Sequence, residues 1–156
     1  MKLAIIQLIT SFLGSLGFAL VFNLRKKYVF PASVGGVLCW GAYLLTLHSS
    51  HGVFLPTLVA AAVAALYAEI FARFLKVPAT VIFVPAIIPL IPGSSLFYTM
   101  SHIVSGEFEL FQKFGMETIL FVLGITSGIS IVWSLWYMFQ KIYNILFKAK
   151  DNIEIK

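Results

Sequence analysis

Few side chains in the apolar stretches of this 156-residue sequence carry acid–base chemistry, and Glu69 stands out among them. An acid within a membrane-length apolar run commonly marks an ion or proton path, because an unpaired charge there is costly. Arg73 follows four residues later, a spacing that puts both groups on one helix face. Glu69 and Arg73 therefore read either as a structural anchor or as a coupling or gating pair, with a proton as the ion an acid would pass.

The second source of chemistry is backbone. Pro78, Pro85, Pro89 and Pro92 fall in one apolar stretch, and Gly93, Ser94 and Ser95 follow directly. Pro78 suits a helix start. Pro85 and Pro89 each remove an internal helix hydrogen bond and loosen the carbonyl four residues earlier, that of Val81 and of Pro85. Pro92 and Gly93 make a turn, and Ser94 or Ser95 is a natural N-cap for a second helix whose first free amides face the break. Pro85, Pro89, Pro92, Gly93, Ser94 and Ser95 are accordingly the candidate solute-binding positions. The plainer alternative is a kinked span that touches no ligand.

Other reactive groups are sparse. His48 and His51 lie three residues apart and His102 elsewhere, but no third ligand sits near the first two, so exposed loop histidines are the simpler reading. Cys39 is the single cysteine, which excludes an internal disulfide. No HExxH, GxSxG, phosphate-binding Gly-rich loop or cluster of acids is present. An enzyme is disfavoured, and no cofactor is implied.

The elements that must position these groups are membrane spans. Hydrophobic residues make up 60% of the chain and charged ones 11%, with a mean hydropathy of +0.98, values outside the soluble range for this length. A crossing helix needs roughly 20 apolar residues for about 30 Å of hydrocarbon. Five runs qualify: about 3–22, 28–47, 53–72, 77–105 with a break at 89–93, and 115–139, before a polar tail over 140–156. The first run lacks an A-x-A cleavage site and reads as a retained span. Within the fourth, 77–88 and 94–105 form two half-helices of 12 residues each. The expected fold is an all-α integral membrane protein, a single five-span helix bundle with one proline-broken, discontinuous transmembrane helix. Irregular backbone at that depth persists only where it lines a cavity or is buried in protein.

Lys and Arg are in excess in short cytoplasmic loops. With the amino terminus outside and five crossings, the inner side receives Arg25, Lys26, Lys27, Arg73, Lys76, Lys141, Lys148, Lys150 and Lys156, against Lys2 and Lys113 outside. If the proline element returned to the face it entered from, the division would be six against five. Crossing is favoured, with the tail cytoplasmic. The net charge of +5 is then explained by topology and by contact with anionic membrane lipids, and no nucleic-acid partner is needed.

The segments "IIPLIPGSSLFYTM" and "GFALVFN" resemble the small-subunit type of the bacterial threonine/serine exporter family, which shares an "IPxxPG" signature. Pro89, Pro92 and Gly93 carry that signature here, while Ala86 stands where many members have glycine. The resemblance implies a half-transporter in the bacterial inner membrane that exports small amino acids such as threonine and serine, or dicarboxylates such as succinate, together with a larger subunit. A helix amino terminus at mid-membrane attracts the carboxylate of such a solute. Five is also an odd number, so two homologous halves in tandem would insert as an inverted repeat. An accessory scaffold without its own solute site is the alternative function, and a homo-oligomer the alternative assembly.

Small residues line three runs: Ser11, Ser15 and Ala19; Ala60, Ala64, Ala68 and Ala72; and Gly124 with Gly128, continued by Ser130 and Ser134. Such lines let helices approach closely, either within one bundle or as a docking face for a partner. Asn23 reads as a cap on the first span. Trp40, Trp133 and Trp136 read as packing or interface anchors rather than ligand stackers.

Overall fold

Runs of Leu, Ile, Val, Ala and Phe, interrupted where Asn, Pro or Gly stops a helix, fold entirely as helices. The computed structural model describes residues 2–50 and 52–154, and their side chains except those of 144 and 146–154. His51 and Lys156, and the side chains of Lys148 and Lys150, lie outside the described residues. The elements are α1 (Lys2–Val21), α2 (Lys26–Leu47), α3 (Phe54–Leu75), α4 (Ala79–Ile87), a 3₁₀ turn (Ile88–Leu90), α5 (Gly93–Val104) and α6 (Phe108–Glu154). No strand occurs among the described residues.

By length and composition, α1, α2, α3 and the Phe108–Tyr143 part of α6 are long and apolar enough to cross a membrane. The pair formed by Ala79–Leu90 and α5 passes the same test together, bent by 52° at its break. The chain is a helical membrane protein.

Where helices end, the closure is specific. Asn23 adopts a left-handed conformation (φ 52°), its amide bonds the Leu20 carbonyl at 2.9 Å, and the Leu24 amide reaches back to Ala19 at 3.1 Å. This is the Schellman arrangement, which satisfies carbonyls that would otherwise be orphaned. Lys76 (φ 52°) closes α3 the same way, with Val77 bonded to Ala72, and Gly106 (φ 75°) closes α5, with Glu107 bonded to His102. Three turns this tight leave no room for inserted domains.

Two boundaries differ from the sequence expectation. α6 was expected over 115–139 but starts at Phe108 and runs to Glu154, taking in most of the segment expected as a tail. No Pro or Gly follows Gly128, and Lys, Ala, Leu and Gln favour helix, so nothing in the sequence stops it. The irregular backbone is also shorter than 89–93, because Ile88–Leu90 tightens into 3₁₀ geometry and α5 begins at Gly93.

α3 is the centre of the bundle and packs against α2, α4 and α6. Its Ala60, Ala61, Ala64, Ala65 and Ala68 have no exposed surface. Helices in lipid associate through dispersion and close backbone approach, which alanine permits. α6 answers with glycine: a methyl on Gly124 would lie 2.8 Å from the Phe54 carbonyl oxygen and 2.9 Å from Thr57 Cβ, and one on Gly128 would collide with the Leu58 carbonyl oxygen. On the other flank, Ser11, Ser15 and Ala19 of α1 are buried, with Gly36 of α2 set against Ser15. The α1 and α3 lines and the Gly124–Gly128 pair are thus consumed inside this bundle, while Ser130 and Ser134 are exposed.

These contacts fix a direction. Gly124 meets Phe54 to Leu58, Gly128 meets Leu58 and Ala61, and Trp136 meets Arg73, so numbers rise together along α3 and α6. The two helices run parallel. The chain therefore leaves the end of α3, and α4, the 3₁₀ turn and α5 return it beyond α3's beginning before α6 starts down. α5 leans on the first turns of α6, where His102 stacks on Phe114, Tyr98 lies tilted against the same ring and Thr99 faces Thr118.

Gly128→Ala forces a methyl against backbone that cannot yield, whereas a methyl at Gly17 meets nothing within 4 Å. Overpacking of this kind costs about 1–3 kcal/mol. Thermal melts in detergent are expected to show a lowered midpoint for Gly128→Ala and an unchanged or raised one for Gly17→Ala.

Candidate functional site

The break is built by prolines that withhold donors. Pro85 is buried inside α4 and leaves the Val81 carbonyl without its usual partner four residues on. Pro89 does the same for the Pro85 carbonyl. After the 3₁₀ turn, Pro92 (φ −77°, ψ 57°) is the centre of an inverse γ-turn, with the Gly93 amide donating to the Ile91 carbonyl at 2.8 Å. The first helical bond of α5 runs from the Leu96 amide to the Pro92 carbonyl at 3.0 Å. Ser94 and Ser95 lie between, and the described backbone bonds give their amides no carbonyl.

The expected N-cap role of Ser94 or Ser95 is not what forms. Pro92 holds the cap position, no side chain caps the helix, and both serines sit within the first turn, Ser94 exposed and Ser95 buried. The γ-turn delivers Gly93 directly into helical geometry, so α5 starts before either serine. A side chain at Gly93 would meet nothing within 4 Å.

α4 reaches this depth by seating on α2. A methyl at Gly35 would come within 2.8 Å of Ala86 Cβ, so the glycine on α2 supplies the room that Ala86 occupies. Tyr67 of α3 donates its hydroxyl to the Pro31 carbonyl of α2 at 2.8 Å and its ring flanks the same Gly35. The break is thereby held against α1 and α2.

Beside it lies an open-sided cavity of about 260 Å³. Ile88 and Pro89 form its wall at the break, Trp40 stands on α2, and Gln7, Thr10, Ser11 and Gly14 face it from α1. The space is below the usual range for drug-sized ligands and suits a small solute. No charged side chain among the described residues lines it. The Thr10 hydroxyl donates to the Gln7 carbonyl at 2.9 Å and that of Ser11 to Leu8 at 2.8 Å, so both oxygens keep lone pairs for an outside donor. The Trp40 indole N–H is buried without an acceptor among the described residues. An orphaned buried donor costs about 1–3 kcal/mol. The ring is held in place by stacking on Tyr43 at 5.0 Å, itself stacked on Phe121 of α6 at 5.9 Å.

Of the six positions expected to bind solute, Pro89 alone lines this cavity; Pro85 and Ser95 are buried, Pro92 is half-buried, and Gly93 and Ser94 are exposed. Gln7, Thr10, Ser11, Gly14 and Trp40 were not foreseen as site residues. Positions 7, 10, 11 and 14 share one helical face, and this line of polar and small residues was the available signal. Trp40 packs as expected, stacked on Tyr43 against the core, and it also borders the cavity, with an N–H that has no acceptor among the described residues.

The expected Glu69–Arg73 pair does not form: among the described residues, the ion pair within 4 Å joins His102 to Glu107. Arg73 instead turns to α6, with its guanidinium 4.8 Å over the Trp136 ring. Glu69 is half-buried, and neither group borders the cavity at the break. Among the described residues no group of three His, Cys, Asp or Glu gathers as for a metal.

A family model described as "Threonine/Serine exporter, ThrE" matches residues 7–135. The chain belongs to the threonine/serine exporter family. No solved structure matches it. The match spans α1 through most of the apolar part of α6, so the exporter-family core includes every residue of the cavity and the break. It makes the chain a component of an exporter-type membrane transporter, a class that moves solutes rather than converting them.

Thr10 borders the cavity, whereas Cys39 has no exposed surface. Thr10→Cys is expected to react with a small water-soluble thiol reagent at one site per chain by intact-mass measurement, and the unaltered chain not at all. Adding Gly14→Leu, whose side chain grows from open space into the cavity, should slow that reaction about tenfold or more while leaving thermal stability within about 0.5 kcal/mol.

Proposed function

We propose that this chain is the small half of a secondary exporter for threonine, serine and similar small amino acids, and that the solute passes through the cavity beside the α4–α5 break. The observation that carries the reading is a small, uncharged, partly polar space at a proline break, bordered by a tryptophan, Trp40, whose indole N–H has no acceptor among the described residues, in a chain of this family. Trp40 and Gln7 donate to the solute, the oxygens of Thr10 and Ser11 accept from its ammonium or hydroxyl, and Pro85, Pro89 and Pro92 keep the backbone open. Gly93, Ser94 and Ser95 contribute the dipole-positive end of α5, which favours a carboxylate.

The absence of charge in the lining favours a zwitterion over a dicarboxylate such as succinate, which would bring two uncompensated charges into the site. The chain lies in the bacterial inner membrane with its amino terminus outside and its carboxy terminus in the cytoplasm, and it crosses five times, with α4 and α5 forming one discontinuous crossing. Parallel α3 and α6 support this path, because an element re-emerging on the face it entered would make them antiparallel. A larger subunit of the same family covers the open side of the cavity and completes the route. Glu69, half-buried with no cation within 4 Å among the described residues, is the proton-coupling group in this reading.

The test is efflux of labelled threonine, serine and succinate from cells lacking their own exporters, with this chain and the genomic neighbour most like a larger subunit expressed singly and together. Amino-acid efflux is expected only with both. Trp40→Phe keeps a ring and removes the N–H, a loss of about 1.5 kcal/mol or more, and should cut that efflux about tenfold at unchanged membrane abundance. Efflux from the larger subunit alone, or wild-type rates for Trp40→Phe, would contradict the reading.

A further inference from the structure

A second built feature lies away from the break, where the last turn of α3 meets α6 around Trp136 on the strongly basic side of the chain. There Arg73, Trp136, Phe139, Gln140 and Tyr143 enclose a cleft of about 340 Å³. Among the described residues Arg73 is its sole cation, exposed and fixed in direction: its guanidinium lies 4.8 Å over the Trp136 ring. The hydrogen-bonding pattern sets the Gln140 amide with its oxygen accepting from the Trp136 Nε1–H at 2.7 Å and from an Arg73 Nη2–H. A guanidinium carries five N–H donors in a fixed fork, and only one is taken by this bond. No carboxylate lies within 4 Å of it among the described residues, although Glu69 is one turn earlier on the same helix.

We infer that this cleft is a phosphate-binding site, and that its ligand is the headgroup of an anionic phospholipid in the leaflet facing the basic loops. A planar fork matches phosphate oxygens bidentately, as lysine does not. The negative end of α3 opposes an anion weakly here, because Lys76 and Val77 amides already occupy the Arg73 and Ala72 carbonyls. Exposed Lys76 and Lys141 flank the cleft along the chain and add to the local positive potential. The remaining walls are apolar, with Phe139 64% exposed, as acyl-chain contact below a headgroup requires. A free anion would gain nothing from such walls, which favours the lipid as the source.

The site is independent of the transport reading and is tested on the purified full chain in detergent. Native mass spectrometry and thermal melts are run with added phosphatidylglycerol, phosphatidylcholine or inorganic phosphate. Phosphatidylglycerol is expected to bind at least tenfold more tightly than phosphatidylcholine and to raise the melting midpoint. Arg73→Gln should erase that preference. Gln140→Glu, an isosteric change that sets a carboxylate beside Arg73 and keeps the fold, should erase it as well, whereas Lys113→Gln, on the other side of the bundle, should not. Equal binding of the two lipids, or an undiminished preference in Gln140→Glu, would overturn the site. An equal rise with inorganic phosphate alone would overturn the lipid assignment.

Discussion

Hydrocarbon offers no hydrogen bonds, so a backbone that stops being helical inside it must find partners in the protein or in a solute. Four prolines in one apolar stretch impose that constraint here, and the rest of the structure answers it. Withheld donors at Pro85 and Pro89 break the ladder, the γ-turn at Pro92 uses the first amide of α5, and the amides of Ser94 and Ser95 stay outside any described backbone bond. α1 and α2 meet the break with Gln7, Thr10, Ser11 and Trp40 rather than with hydrocarbon-like side chains. The arrangement fits a chain of an exporter family, since a broken helix beside a partly polar cavity leaves backbone groups for a partner or solute to satisfy.

Such a break holds its position only if the surrounding helices are rigid, and here rigidity comes from the smallest residues. Alanines on α3 and glycines on α6 bring backbones into direct contact, while Gly35 and Ala86 lock α4 against α2. The same contacts set the direction of α6 and with it the path of the segment between. One packing choice therefore fixes both the site's walls and the chain's course.

Much of this was legible in order of how local the physics is. Apolar run length gave the helices of α1, α2 and α3 to within a few residues, and proline chemistry marked the break and the loosened carbonyls. Boundaries set by turn geometry were harder: the γ-turn at Pro92 displaced the expected serine cap, and nothing marked where α6 would stop. What escaped was long-range. A tryptophan's partnerless N–H is a property of what packs around it, and Arg73 chose Trp136, distant in sequence, over a carboxylate one turn away. The polar face of α1 was readable as a pattern, but that it looks at Pro89 follows only from how α1, α2 and α4 assemble.

The central claim is that α4 and α5 carry the chain across the membrane as one broken element. Side-specific labelling of single cysteines in intact cells tests it most directly, using Ser49→Cys before α3, Lys76→Cys after α3 and Ser105→Cys after α5, all exposed positions, with native Cys39 buried. An impermeant maleimide should reach positions 49 and 105 from outside and position 76 only after permeabilisation. Labelling of 105 together with 76, and apart from 49, would mean that the element returns to the face it entered, and would contradict the account.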